Sequence, residues 1–192
     1  MRLNALLLRA QSWLLLALGR RAAALAGVER MLHLDPQNLW ALASRAHLHA
    51  QAGQPALAVP DLQALTRLQP DHAAHWFNLG FVLDAQGQHQ GAVAAFERAT
   101  AINPKLDQAW YGLGLALLQL QRIEEAIAAL KRNTELQPLS PYGWTQLARA
   151  HARAQQPGKA RRVVEHLRGF EPRVAEALTH ELQLLESQEE PA

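Results

Sequence analysis

Five prolines keep a fixed interval: Pro36, Pro70, Pro104, Pro138 and Pro172 recur every 34 residues. A period of that length marks a chain assembled from stacked supersecondary units, each of which buries its apolar face only against its neighbours. With each proline placed at position 32, the units are 5–38, 39–72, 73–106, 107–140 and 141–174, with no insertion or deletion between them. The columns then become chemically uniform. Position 20 is Ala24, Ala58, Ala92, Ala126 and Ala160, and position 8 is Ser12, Ala46, Gly80, Gly114 and Ala148. Only small residues occupy both columns, as required where two helices cross closely. Position 4 is Leu8, Leu42, Trp76, Trp110 and Trp144; position 24 is Val28, Leu62, Phe96, Leu130 and Val164; position 30 is Leu34, Leu68, Ile102, Leu136 and Phe170. These large apolar residues are expected to fill the layer between helices. Position 15 carries Gly19, Gly53 and Gly87, suited to the left-handed turn between two helices, with Gln121 and Gln155 in the later units.

On these residues the chain resembles the tetratricopeptide repeat family over 5–174. Unit 3 carries the family pattern in Trp76, Leu79, Gly80, Ala92, Phe96, Ala99 and Pro104, and unit 4 in Trp110, Gly114, Ala126 and Pro138. The resemblance implies an all-α fold: a right-handed superhelical solenoid of five helical hairpins. It predicts a single domain, 1–192, closed by a C-terminal capping helix over 175–188. In that helix Leu178, Leu182 and Leu185 share a face, and Glu176, His180, Gln183 and Glu186 lie elsewhere.

Several positions depart from the pattern. Gln11 and Arg45 stand where position 7 is normally Leu. His49 and His151 occupy position 11, Asn133 occupies position 27, and Pro60 lies inside the second helix of unit 2. Pro60 removes a backbone donor and crowds the preceding turn, so that helix is expected to start late or kink.

Composition narrows the function. The chain is 49% hydrophobic and carries 19 Lys and Arg against 17 Asp and Glu, too even a balance for a nucleic-acid binder. There is no Cys, which excludes disulfides, thiolate metal sites and Cys nucleophiles. The His pairs His72/His75 and His47/His49 lack a third ligand at metal spacing, and Gly112-Leu113-Gly114 is explained by the repeat columns. No cofactor, metal site or catalytic constellation is expected, and the chain reads as a non-enzyme. Its Ala-, Leu-, Gln- and Arg-rich composition fits a GC-rich bacterial source.

The resemblance implies that the first helix of each repeat lines a concave groove for a partner peptide or helix. The groove residues carried over are Trp13, Trp40, His47, Phe77, Asn78, Phe81, Asp84, Tyr111, Tyr142, Gln146, Arg149 and Arg153: aromatic in the middle, basic toward the C-terminal end. Aromatic residues and Arg are enriched among interface anchors, and an Asn amide both donates to and accepts from a peptide backbone. The two-carboxylate clamp by which one subgroup of the family binds chaperone tails is met in no register. The expected role is a scaffold or assembly factor. A membrane-peripheral or secretion-related chaperone for an apolar client segment, or a non-catalytic subunit of an enzyme complex, are the alternatives.

The N-terminal helix is apolar on two sides. Leu3, Leu6, Leu7, Trp13, Leu14 and Leu18 lie on the side where a preceding repeat would pack, and Leu8 and Leu15 face the partner helix. The clean apolar run, Trp13 to Leu18, is too short for a membrane span of about 20 residues. A cleavable signal ending near Ala24-Leu25-Ala26 competes with the repeat register, which uses the same residues. The exposed leucines instead predict an interaction face for a second copy, another subunit or a membrane surface. Arg9 and Gln11, which interrupt the helix, rank protein contact ahead of lipid. The expected location is cytoplasmic, with membrane association open.

Overall fold

The computed structural model describes residues 2–189, and side chains over 6–183. Among the described residues there are eleven α-helices and no strand. They are α1 (Arg2–Ala17), α2 (Arg21–Leu34), α3 (Leu39–Gln51), α4 (Pro55–Leu68), α5 (Ala73–Ala85), α6 (His89–Ile102), α7 (Asp107–Gln119), α8 (Ile123–Leu136), α9 (Pro141–Arg153), α10 (Pro157–Arg168) and α11 (Pro172–Glu189). Consecutive helices pair into five antiparallel hairpins, α1–α2 through α9–α10, and α11 packs on α10 and α9. As distinct from the 34-residue repeats, the chain divides into two compact units: from here on unit 1 is 1–102, holding α1–α6, and unit 2 is 103–192, holding α7–α11.

Each hairpin turn is built the same way. Gly19, Gly53 and Gly87 take φ of 70–71°, and Gln121 and Gln155 take 60° and 55°. The next residue donates its N–H to a carbonyl five residues back: Arg20 to Leu15, Gln54 to His49, Gln88 to Leu83, Arg122 to Leu117 and Gln156 to His151, at 2.8–3.0 Å. This satisfies helix-end carbonyls that would otherwise lack a donor. The accepting groups are backbone carbonyls of position 11, so His49 and His151 make the turn as well as Leu does. Pro55, Pro141 and Pro157 open their helices, where a missing N–H costs nothing. Pro172 likewise opens α11, three residues before the expected cap.

The small columns are buried throughout. In unit 1, Ala24, Ala58 and Ala92 have no exposed surface; in unit 2, Ala126 has none and Ala160 has 2%. A Cβ on Gly80 would lie 2.8 Å from the Phe96 ring, and one on Gly114 would lie 2.6 Å from Leu130 Cγ. The position-24 residues Val28, Leu62, Phe96, Leu130 and Val164 form the core behind them. At position 30, Ile102, Leu136 and Phe170 are half-buried, whereas Leu34 and Leu68 are exposed and depart from the expected interior role. The position-4 tryptophans are half-buried, each with its indole N–H on a proline carbonyl: Trp76 on Pro70, Trp110 on Pro104 and Trp144 on Pro138, at 2.8–2.9 Å.

Pro60 does not delay its helix. α4 begins at Pro55 and runs through Pro60. One ladder bond near the first turns is lost, while Leu62, Leu65 and Asp61 bury the helix immediately beyond. In unit 2, α11 contributes Ala175, Leu178 and Leu182 to a cluster with Ala148, Ala160, Val164 and Leu167, covering the apolar face of the last hairpin. Leu185 and Glu186 lie beyond the described side chains.

Candidate functional site

In unit 1, α3 and α5 flank a recess of about 270 Å³ whose floor is α4. The α3 wall is Ala43, Ala46, His47 and Ala50; the floor is Leu62 and Leu65; the α5 wall is Phe77, Asn78, Phe81 and Val82. Small residues on α3 create the space, and aromatic residues on α5 shape it. Phe77 is half-buried. Its ring centroid lies 6.0 Å from that of core Phe96 and 6.4 Å from that of Phe81. Phe81 is 61% exposed at the mouth. Asn78 and His47, both exposed, are the polar groups of the rim. Four of the residues expected in a groove thus converge on one cavity.

The other expected groove residues of unit 1 are placed differently. Asp84 accepts a 2.8 Å hydrogen bond from His89 Nδ1 across the α5–α6 turn, which engages it within its own hairpin. Trp40 is half-buried with the Arg9 guanidinium 5.4 Å from its ring centroid. Trp13 is exposed on α1, outside the recess.

In unit 2, α7 and α9 bring together Tyr111, Gln146 and Arg149. Tyr111 is hydrogen-bonded to Gln146; burial pushes its phenol up, and that bond and Arg149 oppose the shift. Arg149 was expected to supply positive charge. It instead makes two hydrogen bonds, 2.8 and 2.7 Å, to the Glu181 carboxylate on α11, which raise its pKa and neutralise it locally. Arg153 and Tyr142 are exposed, Tyr142 by 72%. The basic character of this end is therefore halved by a residue of the capping helix. Sequence reasoning did not pair Glu181 with Arg149, because the two are 32 residues apart on different elements.

Three departures from the repeat pattern resolve into built interactions. Arg45 donates through Nε and Nη2 to Asp61 at 2.8 and 2.7 Å, and the Asp61 side chain is 3% exposed. Asn133, buried on α8, donates to the Asp107 carbonyl at 2.9 Å and lies against Gly143, where any Cβ would collide with its Oδ1. His151 is buried and donates from Nδ1 to Gln156 Oε1 at 3.0 Å; Gln156 in turn donates to Glu124. Burial holds the His151 pKa below its usual value, with Lys131 and Lys159 adding to the effect and Gln156 and Glu124 opposing it. His72 and His75 stack at 4.1 Å, and His75 is bonded to Gln69. Among the described residues no group of three His, Asp or Glu is placed to hold a metal ion.

On α1, Leu6, Leu7, Trp13 and Leu14, and in the turn just after it Leu18, are each 53–64% exposed, whereas Ser12 is buried against Gly27 of α2. The Leu3 side chain lies outside the described residues. No helix among the described residues is long and apolar enough to cross a membrane.

Two family profiles match the chain, over residues 43–107 and 85–145, and both describe a tetratricopeptide repeat. No curated protein matches. Among solved structures, the crystal structure of MamA protein superposes with a TM-score of 0.86 at 20% identity, covering 92% of this chain and 96% of that one. YrrB, described as a TPR protein with an unusual peptide-binding site, gives 0.79 at 19% identity and 88% coverage of both. MamA 41-end from Desulfovibrio magneticus RS-1 gives 0.78 at 22% identity and 98% coverage of both. At these identities the likeness concerns the fold, an all-α helical-repeat solenoid.

Proposed function

The chain belongs to the tetratricopeptide repeat family, and from that premise we propose that it is a protein-interaction scaffold whose recess between α3 and α5 receives an apolar anchor residue of a partner peptide or helix. The observation that carries the reading is the recess itself. A volume of about 270 Å³ falls just under the roughly 300–1,000 Å³ typical of small-molecule sites, which suits one or two side chains better than a cofactor. Its walls are alanine and phenylalanine, and its rim offers an amide and an imidazole. That combination provides apolar burial for an anchor and hydrogen bonds for the backbone beside it. YrrB, which has the same fold, is described as having a peptide-binding site, and this agrees with the proposal. The face formed by Tyr111, Gln146 and Tyr142 in unit 2 offers additional polar contacts, while Arg149 is already engaged by Glu181. The reading assigns no chemistry to the chain.

The test is selection of a random peptide library on the purified protein, followed by affinity measurement. Selected peptides are expected to share a Leu, Ile, Phe or Met anchor. Phe81→Ala removes a mouth residue that the core does not need, and should weaken binding tenfold or more, given the roughly 2 kcal/mol lost at an interface anchor. Ala43→Leu, which fills the recess without removing any contact, should do the same. Peptides that bind both variants as tightly as the wild type would refute the recess as the site. Phe77→Ala is a poorer probe, since Phe77 also packs on Phe96.

A further inference from the structure

The exposed side of α1 is strongly apolar. At 100° per residue, Trp13, Leu6, Leu3, Leu14, Leu7 and Leu18, with Ala10 and Ala17 between them, fall within one arc of about 140°. No polar residue interrupts it. Arg9 lies beyond one edge, with its guanidinium over Trp40, and Gln11 lies at the other edge, beside the hollow between α1 and α2. Arg9 and Gln11, expected to interrupt the helix, thus border the face instead of breaking it. The described leucines and the tryptophan of this arc are all more than half exposed.

The occupant is indicated by charge. The flanking charge is mainly positive: Arg2, Arg9, Arg20 and Arg21 precede the first acidic residue, Glu29, which stands beside Arg30 at the hollow between α1 and α2. Arg9, Arg20 and Arg21 are exposed, and none pairs with a carboxylate among the described residues. Leucine and tryptophan on one side of a helix with arginines at its borders is the pattern of helices that lie in the plane of an anionic membrane.

We infer that α1 seats the protein on an anionic lipid surface, lying in the interface with Leu6, Leu7, Trp13, Leu14 and Leu18 among the acyl chains and Arg9, Arg20 and Arg21 at the headgroups. This surface is separate from the α3–α5 recess, so a partner peptide and a membrane can be held at once.

The experiment is flotation of the full chain with vesicles of pure phosphatidylcholine and of phosphatidylcholine containing phosphatidylglycerol, at low and high salt. The wild type should float with the anionic vesicles, release as salt rises, and show a blue shift in tryptophan emission that Trp13→Phe removes. Leu7→Glu with Leu14→Glu should lower partitioning roughly a hundredfold, two buried leucines each contributing about tenfold. Arg20→Glu with Arg21→Glu should lower it roughly tenfold or more on anionic vesicles only. Circular dichroism checks that the variants remain folded. Failure of the wild type to float, or flotation unaffected by the leucine pair, overturns the inference. So does a dimer in sedimentation that the leucine pair dissolves while no lipid is bound, which would assign the face to a second copy. Loss of peptide binding in the recess variants leaves flotation unchanged, so the two proposals fail independently.

Discussion

Replacing Arg45 should damage the protein more than replacing the residue it binds. Asp61 is enclosed between α3 and α4 with 3% of its side chain exposed, while Arg45 keeps 31% in water. Arg45→Leu leaves a buried carboxylate without its cation, a change that typically costs about 3–5 kcal/mol. Asp61→Ala leaves a guanidinium that can turn to solvent, so its cost is closer to that of lost hydrogen bonds, about 1–3 kcal/mol. The double substitution gives hairpin α3–α4 the pair found in the next two hairpins: Leu79 with Ala95, and Leu113 with Ala129, all buried. It should fall within about 1 kcal/mol of wild type, because a well-packed apolar pair commonly replaces a buried ion pair without loss. Thermal and urea unfolding of the four proteins, followed by circular dichroism, measures the cycle. For a chain of this size each kcal/mol moves the midpoint by about 2–4 °C, so Arg45→Leu should melt at least 6 °C lower. The reasoning is refuted if Arg45→Leu is as stable as wild type, or if adding Asp61→Ala to it restores nothing.

Gly143→Ala drives a methyl into Asn133 Oδ1 and should cost about 1–3 kcal/mol in urea unfolding; Gly158→Ala, with nothing within 4 Å and helical backbone, should gain roughly 0.5–1 kcal/mol in the same measurement. Gln155→Gly relieves a left-handed backbone at φ 55° and should stabilise by up to about 1 kcal/mol, visible as a higher melting temperature. His151 has its pKa lowered in the folded state, so below the unfolded value of about 6.5 the unfolded chain binds more protons. Stability should therefore fall as pH drops through that value, and His151→Leu should flatten this part of the stability-versus-pH curve.

The periodic features were legible because they are redundant. Five alanines at position 20 and five prolines at position 32 state the same register repeatedly, and close packing permits nothing larger at the crossings. What escaped was the pairing of exceptions. Arg45 stood out from a leucine column, and Asp61 stood out at position 23 beside Gly27, Ala95 and Ala129, so matching one irregular column against the other would have found the bond. Glu181 offered no such signal, since α11 lies outside the repeat and has no column to depart from. The recess was half visible. His47, Phe77, Asn78 and Phe81 are marked by their repeat positions, but the space comes from Ala43, Ala46 and Ala50, and small residues in a helix carry no mark of the cavity they leave.

The three indole bonds bear on where the solenoid opens. Each spans only six residues, so it forms with little loss of loop entropy and latches the start of a helix to the turn before it. The first two members of the same column, Leu8 and Leu42, have no donor to offer. Ahead of α3 the turn is held instead by Asp35 and Asn38: Asp35 accepts from the Gln37 amide and the Asn38 side chain at 3.2 and 3.3 Å, and Asn38 Oδ1 accepts from the Ala41 amide at 3.1 Å. The two Asp35 bonds are long and lie in water, which competes for both partners. A stack whose stability is a sum of neighbour terms frays where the terms are smallest. The latch is missing between the α1–α2 hairpin and the next, so this end is expected to unzip ahead of helices α3 to α5, which form the recess. In such an opening the apolar helix would change its surroundings while the cleft between α3 and α5 keeps its shape.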